Sequence, residues 1–253
     1  MRVRLTVAYD GTHYCGWQVQ PNGITIEEVL NRALSDLLGE KIAVIGASRT
    51  DSGVHALGNI AVFDTLSKIP AEKMSYGLNQ RLPDDVVIQK SEQVADDFHP
   101  RYQETEKIYE YQIWNTTFPN PLNRLHSYFY YRSLDVARMQ QAANLLIGEH
   151  DFQSFCAANA QVLTTVRTIY SCEVQKEGNL IRIRVRGNGF LYNMVRIIAG
   201  TLIEVGSGMR EPESITEILA LKDRKMAGPT APPHGLTLVK IIYKNEENYL
   251  QNS

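Results

Sequence analysis

The chain has 253 residues and a net charge of −2, and 43% of its residues are apolar and 21% charged. This ordinary composition excludes collagen-like, disordered and low-complexity classes, and the length suits one large domain or two small ones. No apolar run approaches the ~20 residues that span a bilayer, the first residues do not resemble a signal peptide, and three scattered cysteines cannot form a disulfide framework. We therefore expect a cytoplasmic protein without membrane contact, in which any nucleic-acid site is a local basic patch.

Hydrophobic periodicity predicts strands and helices that alternate along the chain. In chain order we predict a strand at 3–9, a helix at 25–38, strands at 41–46 and 59–64, a helix at 70–81, strands at 85–92, 106–115 and 126–132, a helix at 134–147, strands at 165–176 and 180–186, helices at 190–205 and 213–222, and a strand at 236–243. Thr25 and Glu28 form a capping box for the first helix, and Gly39 supplies its left-handed stop. Ser133 and Gly148 are expected to bound the third helix.

Each half of the sequence mixes several strands with two or more helices. This indicates an α+β fold with antiparallel or mixed sheets and helices packed on one face. Pro100 and a run of charged and polar residues indicate a boundary near 100–105, so we divide the chain into domains 1–104 and 105–253. The tail after residue 244 is expected to fray.

The densest group of polar residues lies between the glycines at 46 and 58, directly after a predicted buried strand. Its Asp51-Ser52-Gly53 triplet resembles that of an aspartic protease, but that chemistry needs a second carboxylate triplet, which the sequence lacks. A phosphate-binding loop would need a lysine that is also missing. Two interpretations stay open: a lone aspartate held by an arginine and acting on an electrophilic or acidic carbon, or an Asx turn with an incidental ion pair.

A strand near 180–186 places three arginines on one face and apolar residues on the other. This arginine stripe consists of Arg182, Arg184 and Arg186. It fits a local phosphate-binding face, or else an ordinary solvated strand face. Similarly, Tyr109 and Tyr111 share one face of their strand, where paired aromatic rings stack nucleobases or belong to the core.

Nothing in the sequence predicts a metal or a serine nucleophile. The six histidines show no metal-ligand spacing and no Cys-x-x-Cys accompanies them, so we expect no metal site. A Gly-x-Ser-x-Gly elbow is absent, which argues against a hydrolase with a nucleophilic serine.

Several motifs, taken together and in this order, resemble the tRNA pseudouridine synthase A family. They are YDGTHYCGWQ at 9–18, RTDSGVHA at 49–56, LNQRLP at 78–83, DFHPR at 97–101, KIYEY at 107–111, DFQSF at 151–155, TVRTI at 165–169 and NGFLYNMVR at 188–196. The resemblance implies two pseudo-symmetric α/β halves flanking a central active-site cleft, and a homodimer that binds tRNA. It also implies the reaction, which is isomerisation of uridine to pseudouridine in the anticodon stem-loop, at tRNA positions 38, 39 and 40, without cofactor or metal.

The resemblance also implies roles for single residues. Asp51 is the catalytic aspartate, which either attacks C1′ of the ribose or removes the C2′ proton. Arg196 pairs with Asp51 and lowers its pKa, so that the carboxylate stays ionised. Tyr109 stacks on the uracil, and its hydroxyl is the candidate for the proton transfer at C5. Arg49 helps to extrude the target base, and Leu236 is an apolar wall of the base pocket.

Two positions depart from the family pattern. Ser48 stands where a glycine usually precedes the Arg-Thr-Asp motif, and a left-handed backbone there would cost a serine ~1 kcal/mol. Only Lys107 precedes Ile108 and Tyr109 where two basic residues are usual, which predicts weaker RNA binding or a shifted set of target uridines. Two alternatives are a related synthase with another RNA target and a non-catalytic RNA-binding protein on the same scaffold.

Overall fold

The computed structural model describes residues 1–157 and 163–244, so the predicted fraying after residue 244 falls outside the described residues. The strands are β1 (Arg2–Tyr9), β2 (Ile45–Gly46), β3 (His55–Asp64), β4 (Val86–Val94), β5 (Thr105–Asn115), β6 (Tyr128–Tyr130), β7 (Gly148–Asp151), β8 (Val166–Glu177), β9 (Leu180–Gly187) and β10 (Leu236–Tyr243). The α-helices are α1 (Ile26–Leu38), α2 (Met74–Asn79), α3 (Val136–Asn144), α4 (Met194–Gly206) and α5 (Ser214–Leu221).

The chain forms two compact units. The first unit contains Met1–Thr105 together with the chain from Leu238 onward, and the second contains Glu106–Thr237. The sequence-based division into 1–104 and 105–253 differs from these units in the last strand, most of which groups with the first unit. That division stays a prediction about domains.

The sheet of the first unit has the strand order β4-β1-β3-β10, and β2 pairs with β3. β1 runs antiparallel to both of its neighbours. Its side chains alternate between half-buried and buried, as a strand with one core face requires, and Val3, Leu5 and Val7 are fully buried. The predicted strand at 3–9 is therefore confirmed.

Helix α1 begins and ends where its capping residues predict. The Thr25 side chain accepts a hydrogen bond from the Glu28 backbone N–H, and Gly39 has a φ of 67°. The N–H of Gly39 donates to the Ser35 carbonyl and closes the last turn. The buried face of the helix consists of Ile26, Val29, Leu30, Ala33 and Leu34. Local capping chemistry and apolar spacing agree here, so this helix is predicted correctly.

The predicted strand at 41–46 is largely wrong, because only its last two residues, β2, pair with another strand. The N–H of Ile42 donates to the Ser35 hydroxyl at 3.0 Å, and the N–H of Val44 donates to the Asn31 side-chain oxygen at 2.8 Å. These donors bond to side chains of α1 instead of a strand partner. The segment is thus held against the helix rather than in the sheet.

The sheet of the second unit has the strand order β5-β9-β8-β7. The β5–β9, β9–β8 and β8–β7 pairs are antiparallel, whereas β6 runs parallel to β5. Strand β7 lies at the end of this order and was not predicted, because its four residues carry no apolar run. Both kinds of pairing occur, so the sheet is mixed, as the sequence allowed.

Helix α3 is shorter than the predicted 134–147, and Ser133 is not its N-cap. The Asp135 side chain instead accepts the Arg138 N–H at 3.1 Å, and the Asp135 N–H donates to the Gly206 carbonyl at 2.9 Å. This tertiary bond to the end of α4 fixes the start of α3. Gly148 has a φ of 112° and opens β7, so it does not cap the helix.

Helix α4 also starts later than the predicted residue 190. Asn193 has a left-handed φ of 60°, which interrupts any helix that approaches from the N-terminal side. Helix α2 is likewise limited to six residues, because a 3₁₀ turn, Ala71–Lys73, precedes it.

Within the described residues, no helix has both the length and the apolar character to cross a membrane.

Helices cover the sheets by direct packing within each unit. In the first unit α2 packs on β4 and α1 packs on α2, and in the second α3 packs on β8 and on α4. The close approach of α3 and α4 depends on Gly206, where a Cβ atom would lie 2.7 Å from the Met139 side chain. Each unit therefore combines a sheet with helices, and the α+β class is confirmed.

Candidate active site

The first unit presents Asp51 on a loop of residues 47–54, which we call the Asp51 loop, between β2 and β3. Thr50 is the main anchor of this loop. Its carbonyl accepts the Trp17 N–H at 3.0 Å, and its hydroxyl shares a 2.7 Å hydrogen bond with the Tyr9 hydroxyl. The Asn59 side chain donates to the same Tyr9 oxygen at 3.2 Å. Thr50, Tyr9 and Asn59 are buried, so the backbone beside Asp51 is fixed by a network shielded from water.

Two glycines allow the chain to pass close to Asp51. Gly16 has a φ of 84°, and a Cβ atom there would lie 2.6 Å from the Thr50 carbonyl oxygen. Gly53 has a φ of 76°, and its N–H donates to the Tyr14 carbonyl at 3.3 Å. The Asp51 carbonyl accepts the Val54 N–H at 3.1 Å and closes a turn. A larger side chain at Gly16 would displace the backbone of Thr50 and Asp51.

Ser48 fits the Asp51 loop without backbone strain. Among the described residues other than glycine, a positive φ occurs only at Asn193 and Lys222. Ser48 is 5% exposed, and its carbonyl accepts the Asn59 side-chain N–H at 3.0 Å. The cost expected for a left-handed serine therefore does not arise.

His55 ties the end of the Asp51 loop to the end of β1. It is 4% exposed, its Nδ1 accepts the Gly11 N–H at 3.1 Å, and the same atom lies 3.1 Å from an Asp10 carboxylate oxygen. A Cβ atom at Gly11 would lie 2.0 Å from the Val54 carbonyl oxygen, so Gly11 permits this contact. The histidine thereby holds the loop in place.

Two arginines accompany Asp51 in this unit. Arg49 is exposed on the Asp51 loop, and Asp51 is half-buried. Arg101 donates its Nε–H to the Gly46 carbonyl at 2.6 Å, directly before the loop. Burial and the nearby positive charge of Arg49 lower the pKa of Arg101. The loop thus combines a carboxylate, which can act as a base or nucleophile, with cations that attract a polyanion.

The second unit contains the two tyrosines of β5, and they have different environments. Tyr111 is fully buried, and its hydroxyl donates to the Pro232 carbonyl at 2.9 Å. Burial raises the pKa of Tyr111 well above its usual value. Tyr109 is 7% exposed and packs edge-on against Phe190, with ring centroids 5.3 Å apart. Tyr111 is therefore a core residue, whereas Tyr109 keeps a small accessible surface.

Arg196 lies in the first turn of α4, and two hydrogen bonds orient it. Its Nε–H donates to the Ala231 carbonyl at 2.8 Å, and one terminal amino group donates to the Asn193 side-chain oxygen at 2.8 Å. The left-handed Asn193 also turns the chain into the helix. The Ala231 N–H in turn donates to the Arg196 carbonyl at 3.1 Å. The guanidinium therefore has a defined direction.

Leu236 begins β10, directly after a 3₁₀ turn, Pro233–Gly235, and it is 5% exposed. Gly235 packs so closely on Tyr111 that a Cβ atom would lie 2.7 Å from the tyrosine ring. The segment 231–236 thus contacts both Arg196 and Tyr111. Within the second unit, the same segment therefore contains Leu236, accepts a hydrogen bond from Arg196 and packs against Tyr111 of β5.

The arginine stripe lies on the other face of the second unit's sheet. Its members occupy the even positions of β9, whereas Tyr109 pairs in register with buried Val185. Arg182 forms a 2.6 Å ion pair with Glu177, and Arg186 donates to Glu106 at 2.6 Å. In the strand register Arg184 lies opposite Glu110 on β5 and Glu173 on β8. The structure therefore does not bring the stripe together with Tyr109, and its role in RNA binding stays a prediction.

The sequence interpretation assigned no role to several residues that organise these sites. Asn193 is the clearest case, because nothing in its neighbourhood signals a left-handed residue that bonds to Arg196. The alternation of the sequence predicts Tyr9 and Asn59 only as strand residues, whereas in the structure Tyr9 bonds to Thr50 and Asn59 bonds to Tyr9. Arg101 belongs to the DFHPR motif at 97–101, and its positive charge directly after Pro100 is the signal that the sequence offers for a role at the site.

Comparisons with known proteins show which family the sequence resembles. A family model described as tRNA pseudouridine synthase matches residues 5–103 and 142–244. The chain is 54% identical over 243 residues to a tRNA pseudouridine synthase A of Ruminiclostridium cellulolyticum, covering 96% of this chain and 99% of the relative. It is 46% identical over 247 residues to a tRNA pseudouridine synthase A of Bacillus pumilus, covering 97% of this chain and all of the relative. It is 46% identical to a protein of Clostridium perfringens named tRNA pseudouridine synthase A 2, covering 95% of this chain and 99% of the relative.

Proposed function

The chain belongs to the tRNA pseudouridine synthase family, and we propose that it isomerises uridines 38, 39 and 40 in the anticodon stem-loop of tRNAs. As a member of this family it is an isomerase that acts on tRNA. The bond between N1 of uracil and C1′ of ribose breaks, and a bond between C5 and C1′ forms. C5 loses its proton and N1 gains one, so the reaction needs no external oxidant or reductant. The Asp51 loop is the observation that carries the proposal.

Asp51 is the proposed catalytic residue. Its carboxylate can attack C1′ and form a covalent ester, or it can remove the C2′ proton, and the proposal leaves both routes open. Either route requires a carboxylate held at one position relative to the ribose. The bonds from Thr50 to Trp17 and Tyr9 supply that rigidity, because they fix the backbone on the N-terminal side of Asp51.

Arg196 and Tyr109 complete the proposed catalytic group. A guanidinium that pairs with Asp51 favours the ionised carboxylate, and the bonds of Arg196 to Ala231 and Asn193 preset its direction. Tyr109 is 7% exposed, and its ring and hydroxyl are the groups proposed to stack on uracil and to transfer the proton at C5. Leu236 is proposed as an apolar wall beside the base.

RNA capture is assigned first to Arg49. This side chain is exposed on the Asp51 loop, where it can take the place of the extruded base and contact phosphate. The arginine stripe is retained as a secondary contact, because neighbouring carboxylates offset its charge. The proposal includes a cytoplasmic homodimer that works without cofactor or metal, as the family resemblance implies.

The direct test measures release of tritium from C5 of uracil in an unmodified tRNA, without added metal or nucleotide. The wild type is expected to release tritium and to form pseudouridine at positions 38, 39 or 40. Asp51→Asn should lower the rate by about a hundredfold or more while tRNA affinity stays within a fewfold of the wild type. The asparagine keeps the size of the side chain, so a folding defect is not expected.

The alternatives correspond to other outcomes of this test. Pseudouridine formed only outside the anticodon stem-loop would indicate a synthase with another RNA target. Tight tRNA binding without tritium release from any tRNA would support the non-catalytic RNA-binding protein. Full activity of Asp51→Asn would contradict the assigned role of Asp51.

A further inference from the structure

An exposed tyrosine that is already stacked lies near the Asp51 loop in the first unit. Tyr102 is 84% exposed, and its ring stacks on that of His99 with centroids 4.0 Å apart and planes 17° from parallel. Neighbouring residues anchor this segment. Phe98 is buried against Tyr243, and the Tyr243 hydroxyl donates to the Pro100 carbonyl at 3.1 Å. Tyr102 therefore exposes a large aromatic surface to solvent, and the buried contacts of Phe98 and Pro100 fix the backbone that carries it.

Arg101 joins this aromatic pair to the Asp51 loop. Its backbone N–H donates to His99 Nδ1 at 3.2 Å, and its Nε–H donates to the Gly46 carbonyl at 2.6 Å. Across residues 1–157 and 163–244, no carboxylate lies within 4.0 Å of the guanidinium of Arg101 or of Arg49. The bond to Gly46 engages a neutral carbonyl, so Arg101 is oriented without a direct ion pair, and the carboxylate of Glu27 acts on it only from a greater distance.

We propose that His99, Arg101 and Tyr102 form a nucleotide platform that binds one nucleotide of the RNA strand next to the target uridine. A base stacks on the outer face of Tyr102 and continues the stack that begins at His99. A phosphate of the same strand binds the terminal amino groups of Arg101. This inference rests on the proposed function and adds to it a binding position outside the catalytic group.

The chemistry of the platform favours RNA over other occupants. Stacking on an aromatic ring tolerates any base, because every base has a flat π surface. A neighbouring guanidinium supplies the matching contact for phosphate. A purely apolar partner would leave the charges of Arg101 and Arg49 unsatisfied, whereas an RNA strand satisfies both the rings and the charges.

The geometry also gives the platform a positioning role. The Nε bond of Arg101 ends on Gly46, which directly precedes the Asp51 loop. A nucleotide bound on Tyr102 is thus held at a fixed distance from Asp51. The platform would therefore select a loop in which an unpaired base lies at that distance from the target uridine, as in the single-stranded part of a stem-loop.

The test compares Tyr102→Leu and Tyr102→Phe with a matched control, Tyr76→Leu. Tyr76 is also exposed in the first unit, at 68%, and has a cation, Lys73, 5.7 Å from its ring centre. Affinity for a fluorescent anticodon stem-loop is measured by anisotropy, and kcat and KM by tritium release. Tyr102→Leu should raise Kd and KM about five- to fiftyfold with kcat nearly unchanged, because base stacking is lost. Tyr102→Phe should stay within about twofold of the wild type, and so should Tyr76→Leu.

Arg101→Gln provides an independent measurement. It should weaken binding and reduce the slope of log Kd against log salt concentration by about 1, as expected for one lost phosphate contact. Thermal unfolding of each variant checks that the fold is intact. Equal affinities of Tyr102→Leu and Tyr76→Leu would overturn the platform even if the wild type is fully active. A wild type that isomerises no tRNA would instead overturn the proposed function, so the two failures are distinguishable.

Discussion

The surroundings of the Asp51 loop and the arginine stripe of β9 both contain arginines, but the groups that bind these arginines differ. Around the Asp51 loop, Arg101 is oriented by a backbone carbonyl, and neither it nor Arg49 has a carboxylate within 4.0 Å among the described residues. On β9 the arginines of the stripe face carboxylates of the neighbouring strands β5 and β8, and Arg182 and Arg186 form ion pairs at 2.5–2.6 Å. The stripe has more arginines, but two of its three are ion-paired, whereas among the described residues Arg49 and Arg101 are not.

This difference shows why a count of basic residues is a weak guide to a nucleic-acid site. An exposed ion pair contributes about 0–1 kcal/mol to stability and attracts little additional charge. An arginine held by a neutral acceptor keeps its full charge available for phosphate. The chain as a whole carries a net charge of −2, so the location of unbalanced cations matters more than their number.

The largest effect is expected from disturbing the backbone that supports the Asp51 loop. Gly16→Ala should lower the free energy of unfolding by about 2–4 kcal/mol, because the new Cβ meets the Thr50 carbonyl in a left-handed backbone. The rate of tritium release should also fall strongly, because a displaced Thr50 backbone moves the adjacent Asp51. Gly39→Ala is the matched control. Gly39 has a φ of 67° but no atom within 4 Å of a Cβ, so a loss of only about 1 kcal/mol and normal activity are expected.

Chemical denaturation and single-turnover rates measure these two variants. If Gly39→Ala and Gly16→Ala lost the same stability and activity, the loop would not depend on the close contact with Thr50.

A smaller effect should follow from unbalancing the arginine stripe. Glu106→Gln removes the partner of Arg186 and should strengthen binding to an unrelated RNA severalfold at low salt. Glu211→Gln makes the same charge change next to Arg138, and away from the sheet face it should have less effect. Anisotropy titrations at two salt concentrations compare the two. Equal gains for both variants would mean that overall charge, rather than the freed Arg186, controls binding.

The smallest effect concerns an ion pair that we interpret as purely structural. Burial opposes ionisation of Glu92, but hydrogen bonds from Lys90 and Arg4 outweigh it and lower its pKa below the ordinary 4.5. Its contribution is therefore present above pH 4.5 and is lost as the pH falls through the lowered folded value. Glu92→Gln should reduce stability by about 0.5–1 kcal/mol at pH 7, with no change in tRNA affinity.

The pH dependence makes this prediction specific. Denaturation midpoints of the wild type and Glu92→Gln should converge as the pH falls below 4.5 and through the lowered pKa of the folded protein, because the wild-type carboxyl group is then protonated. Glu72→Gln changes an exposed carboxylate of the same unit and should show no such convergence. A constant difference at all pH values would show that the ion pair with Arg4 does not stabilise the fold.

The fold was predictable from sequence wherever local chemistry decides the structure. Thr25, Glu28 and Gly39 define α1 because their capping bonds lie within the helix and its ends. The prediction was wrong where distant groups compete for the same backbone donors. The N–H groups of Ile42 and Val44 bond to side chains of α1, a choice that no local pattern reveals.

The same contrast applies to the candidate site. Motif resemblance located Asp51, Tyr109 and Arg196 in the sequence, because their neighbours form recognisable segments. It could not show that Asn193 adopts a left-handed backbone and binds the Arg196 guanidinium. Nor could period-two alternation show that the carboxylates of β5 and β8 offset the charge of the arginine stripe, since strand register depends on the whole sheet.

The most direct test of this account is the salt dependence of tRNA affinity for Arg49→Gln and Arg186→Gln. Each variant removes one arginine charge, but Arg186 is paired with Glu106, whereas among the described residues no carboxylate lies within 4.0 Å of Arg49. We predict that Arg49→Gln reduces the slope of log Kd against log salt concentration by about 1, and that Arg186→Gln changes it by less than half as much. A larger change for Arg186→Gln than for Arg49→Gln would contradict the claim that arginines without an ion-pair partner mark the RNA site.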